Sequence, residues 1–65
     1  MKINIKKLRK DLVLTQQEFS NLICVNRTTI YNWENGISEP NIKSIKKLKA
    51  MCKLYEIGLE QYENI

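Results

Sequence analysis

The chain has 65 residues, with 43% hydrophobic and 28% charged. That is room for one small domain with a modest core and an ordinary globular composition, and little room for an enzyme pocket. Eleven Lys and Arg stand against seven Asp and Glu, a net charge of +4, so polyanions are the expected partners, nucleic acid before acidic membrane. There is no His, which excludes His-based acid–base catalysis and zinc sites built on His. Cys24 and Cys52 form no CxxC and suggest no disulfide framework; free, half-buried thiols in a reducing compartment are expected, with no metal and no cofactor. No run approaches the roughly 18 apolar residues of a membrane span, and the first residues lack a signal-peptide core. A cytoplasmic protein is expected.

The hydrophobic spacing is helical nearly throughout. Ile5, Leu8 and Leu12 predict a first helix of about 3–12. Thr15 and Glu18 form a capping box opening a second helix of about 16–23, which buries Phe19, Leu22 and Ile23. Asn26 is an N-cap for a third helix of about 27–35 with Ile30 and Trp33 inward, and Gly36 ends it in the left-handed conformation. After a turn through Pro40, Asn41 caps a fourth helix whose apolar stripe is Ile42, Ile45, Leu48, Cys52 and Tyr55. Gly58 interrupts, and Leu59, Tyr62 and Ile65 suggest a short last helix. No strand pattern is visible.

Charge is blocked along the chain. Lys2, Lys6, Lys7, Arg9 and Lys10 give +5, the centre carries −3, Lys43, Lys46, Lys47, Lys49 and Lys53 give +5, and the last residues carry −3. Basic edges that grip phosphates around a centre that reads bases would look like this, although lysines also simply solvate helix faces. The short second and third helices, joined around Cys24-Val25-Asn26, have the spacing of a helix-turn-helix.

Residues 14–41 closely resemble the phage-repressor helix-turn-helix family (Cro and lambda-repressor-like, also called XRE-like). The matching positions are Leu14, Thr15, Gln16, Phe19, Val25, Asn26, Ile30, Trp33, Glu34, Asn35, Gly36 and Pro40. The resemblance implies an all-α fold, a compact bundle of five short helices, with residues 1–65 forming a single DNA-binding domain. Three positions depart from the pattern: Val13 where Gly or Asn is usual, Ser20 where Ala is usual, and Cys24 at the turn position that is usually Gly. A Cys there is mildly strained if the backbone stays left-handed.

By the same resemblance, Arg27, Thr28, Tyr31 and Asn32 are expected to meet bases in the major groove. Arg can donate two bonds to guanine, Asn can pair with adenine, and a Thr methyl can pack on thymine. Gln16, Thr29, Asn35 and Lys43 are the phosphate candidates, Asn35 through its backbone N–H. Arg9 and Glu34 match a family pair that is structural. The implied function is a transcriptional regulator, with a repressor expected. It would bind a near-palindromic operator in double-stranded DNA as a homodimer, in a phage or mobile-element setting among others. The alternative is a protein-interaction module, such as an antitoxin or inhibitor, whose main ligand is another protein. No nucleophile–base arrangement is visible, so no enzyme and no catalytic residue is expected.

Overall fold

The computed structural model describes residues 2–64. Its elements run β1 (Lys2–Ile3), α1 (Ile5–Asp11), α2 (Gln16–Leu22), α3 (Arg27–Glu34), α4 (Ile42–Leu54), a 3-10 turn (Leu59–Tyr62) and β2 (Glu63–Asn64). The expected fifth helix is thus a single 3-10 turn. Ile65, expected to finish it, lies outside the described residues.

Side chains start three of the four helices. Asn4 Oδ1 accepts from the Lys7 N–H at 3.1 Å, and Asn41 Oδ1 accepts from the Ser44 N–H at 2.9 Å. The capping box is complete: Thr15 Oγ1 accepts from the Glu18 N–H at 3.1 Å while Glu18 Oε1 accepts from the Thr15 N–H at 2.9 Å. Asn26 holds the extended backbone of an N-cap, but its side chain makes no capping bond, contrary to expectation.

All four helices end the same way. Val13, Cys24, Gly36 and Glu56 each take a left-handed φ, between 56° and 71°. At each end the residue after the left-handed one donates back across the last turn: Leu14 to Arg9, Val25 to Ser20, Ile37 to Asn32 and Ile57 to Cys52. This is the Schellman arrangement, and its apolar residue after the turn is present every time. Leu14, Val25 and Ile57 pack against the core. Only one of the four left-handed positions is the cheap residue, glycine.

The core gathers Ile5, Leu8, Phe19, Ile23, Ile30, Trp33, Leu48, Met51, Cys52, Leu59 and Tyr62. Ser20 is fully buried among them and is satisfied by donating to the Gln17 carbonyl at 2.8 Å, which is how a hydroxyl stands in an alanine position. Three expected core residues face solvent instead: Leu22 is 40% exposed, Ile42 76% and Tyr55 47%. Ile42 sits in the first turn of α4 and Tyr55 is its C-cap, so both lie beyond the stretch that meets the core, and Met51 fills the inward face between Leu48 and Cys52. Leu22 is the last residue of α2, at the edge of its buried side. The thiols also divide: Cys24 is exposed and Cys52 buried.

The strand pair escaped the sequence because two residues are too short to show alternation. Lys2 pairs with Asn64 and Ile3 with Glu63, antiparallel. The Asn4 N–H donates to the Tyr62 carbonyl at 2.6 Å, and the Tyr62 hydroxyl donates to Asp11 Oδ2 at 2.6 Å. The C-terminal segment is thereby fastened along α1.

Val13 is a β-branched residue at φ 57° with 86% of its surface exposed, so it carries strain and almost no packing. Left-handed backbone costs a non-glycine residue roughly 1–2 kcal/mol, and glycine loses roughly 0.5–1 kcal/mol in chain entropy. Val13→Gly should therefore stabilise the protein by about 0.5–1 kcal/mol and raise its melting temperature by a few degrees in a circular-dichroism melt. An unchanged or lower melting temperature counts against the strain.

Candidate nucleic-acid interface

α3 packs on α2 and on α1. Ile30 and Trp33 are its buried side. Arg27, Thr28 and Tyr31 are exposed on the other side, and Thr29 and Asn32 are half-buried at its edges. The three- and four-residue spacings of Arg27, Thr28, Tyr31 and Asn32 place them along one helix face. Asn26, whose side chain is uncommitted to capping, is exposed beside Arg27.

The end of α3 is held by charge. Arg9 Nε donates to Glu34 Oε2 at 2.6 Å and Arg9 Nη2 donates to Glu34 Oε1 at 3.0 Å, a bidentate pair. The side chains are 13% and 3% exposed, respectively. Arg9 Nη1 also donates to the Leu14 carbonyl at 2.9 Å. One guanidinium therefore ties α1 to the end of α3 and to the residue before the α2 cap. Gln16 Nε2 adds a bond to Glu34 Oε1 at 3.3 Å, which joins the first residue of α2 to the same carboxylate. Burial pushes the Glu34 carboxyl pKa up, but the hydrogen bonds from Arg9 and Gln16 and the attraction of Arg9 and Lys6 outweigh it, and the net shift is down.

The phosphate candidates are less uniform. Lys43 is exposed in the first turn of α4. Gln16 and Thr29 are half-buried. Asn35 is exposed, but its backbone N–H donates to the Tyr31 carbonyl at 3.1 Å and its side-chain amide to the same oxygen at 2.8 Å. Both donors are engaged in closing α3, so the N–H expected to face a phosphate is already bonded in the free protein. No helix among the described residues is long and apolar enough to cross a membrane.

The helix-turn-helix family model matches residues 5–61. The chain is 32% identical over 57 residues to the HTH-type transcriptional activator BcrR of Enterococcus faecalis. That alignment covers 88% of this chain and 26% of BcrR, so the chain spans about a quarter of that relative's length. No solved structure matches the chain.

A carboxyl whose folded pKa is depressed stabilises the fold above its unfolded pKa and loses that contribution as pH falls through the folded value. Glu34→Gln should cost about 3 kcal/mol at neutral pH in urea denaturation, because Arg9 keeps a buried charge without its partner. The gap between variant and parent should narrow as pH falls from about 5 toward 3. Glu18, held below its ordinary value by the Thr15 N–H and hydroxyl, titrates in both proteins and cancels. Parallel curves would contradict the pairing.

Proposed function

The chain belongs to the XRE-like helix-turn-helix family, and on that premise we propose that it is the sequence-specific DNA-binding part of a transcriptional regulator. The observation that carries this reading is the polar outer face of α3, on a helix fixed at its far end by Arg9 and Glu34. An α-helix with its side chains is about 10–12 Å across, a fit for a major groove about 12 Å wide. Arg27, Thr28, Tyr31 and Asn32 read base edges, with Arg27 the strongest through two bonds to one guanine. Gln16, Thr29, Asn35 and Lys43 set the register on the phosphates, Asn35 after giving up its bond within α3.

The protein pairs on DNA as a two-fold dimer over half-sites about 34–36 Å apart. It represses by covering a promoter. The similarity to a protein named as an activator favours a second reading, in which the operator lies upstream and the bound protein recruits rather than blocks. The first reading asks only that the domain occupy its site. Action in the cytoplasm, where the DNA of a bacterial cell lies, is part of the proposal.

Fluorescence anisotropy on the duplex upstream of the protein's own gene, against a scrambled duplex and over a salt series, tests the reading. Preferential binding with a steep loss of affinity against salt is expected. Weak, equal binding on both duplexes, followed by selection from random DNA that yields no motif, contradicts it. Arg27→Ala should reduce specific binding by about 1–3 kcal/mol and leave non-specific binding nearly intact. Equal losses make Arg27 a phosphate contact. Lys43→Ala should weaken binding to every sequence and reduce the salt slope by about one. An unchanged slope removes Lys43 from the phosphate set.

A further inference from the structure

The end of α2, the turn after it and the outer side of α4 enclose an apolar groove of about 250 Å³, lined by Leu22, Cys24, Ala50, Met51 and Leu54 with Lys47 at its edge. Leu54 is 81% exposed and Leu22 40%. Single exposed leucines are ordinary, but apolar side chains from two elements facing one shared depression are not accounted for by chance exposure. No residue of α3 lines it, so it stands apart from the proposed base-reading face.

Its surroundings are basic. Lys43, Lys47, Ala50 and Leu54 follow one another at four-, three- and four-residue steps along one side of α4. Lys46 and Lys53 flank Ala50 at helical spacing, and both are exposed. Lys47 Nζ donates to the Cys24 carbonyl at 3.5 Å, across from α4 to the turn. From α2, one carboxylate, Glu18, lies a turn before Leu22. Two copies of this chain joined face to face here would set lysine row against lysine row. A concave channel between two helices also suits a rod better than a plane.

We propose that this groove docks an acidic amphipathic helix of a partner protein. Apolar side chains on one face of that helix fill the depression between Leu22 and Leu54, and carboxylates on its flanks meet Lys46, Lys47 and Lys53. The function is distinct from DNA recognition and gives the domain a second ligand.

The test uses a helical peptide of about 16 residues with leucines on one face and glutamates on both flanks. A lysine-for-glutamate counterpart and a shuffled peptide serve as controls. In a nitrogen-15 chemical-shift titration of the protein, the acidic peptide should give saturable shifts centred on Leu22, Cys24, Ala50 and Leu54. Leu54→Glu and Ala50→Glu, both at exposed positions, should each weaken it at least about tenfold with the fold intact by circular dichroism. Four results overturn the proposal: no saturation, equal binding of either control, shifts centred elsewhere, or self-association of the protein that Leu54→Glu abolishes.

Discussion

The placement of α3 depends on the ion pair between Arg9 and Glu34. The two groups come from α1 and from the last residue of α3, 25 positions apart in the chain, and meet through two parallel bonds with most of their surface removed from water. A pair in this environment recovers its desolvation cost only with good geometry and full hydrogen bonding, and here Leu14 and Gln16 supply the remaining partners. The pair is therefore better understood as a positional device than as a source of stability. It fixes where α3 stops relative to α1, and through Gln16 it sets where α2 begins.

Around that fixed point, the helices are cut to length by their ends. Each closes on a left-handed residue followed by an apolar one, and at three of the four ends that residue, Leu14, Val25 or Ile57, returns to the core. Three of those left-handed residues are Val13, Cys24 and Glu56, so the strain is accepted to make the turn. The turn between α2 and α3 shows why. Val25 must pack against the core while Arg27, two residues later, must face out. A sharp reversal at Cys24 satisfies both.

The helical segments were legible in the sequence because their signals were local: the Thr15 and Glu18 box, Asn41 before Ile42, and Gly36 after the third helix. The Val13 and Cys24 turns were legible as departures from a pattern that usually has Gly or Asn at the first and Gly at the second. What was not legible depended on distant partners. The β1–β2 pairing joins residues at opposite ends of the chain, and the Tyr62–Asp11 bond does the same. Glu56 gave no sign of its left-handed backbone, although Ile57 after it is the apolar residue that such a turn carries. At the candidate interface the outward face of α3 followed from Ile30 and Trp33 turning in. The commitment of both Asn35 donors to Tyr31 did not, because it is decided by the local closure of the helix.

Two proposed ligand surfaces then share one small core: a polar helix face for DNA and, apart from it, a basic-rimmed apolar groove for a helix. For the first, the most direct measurement is a crystal structure of the protein bound to a duplex selected for tight binding. It should show α3 in the major groove, with Arg27, Thr28, Tyr31 and Asn32 at base edges and the Arg9–Glu34 pair unbroken. DNA lying against α4 or α1, with the outer face of α3 in solvent, would contradict it.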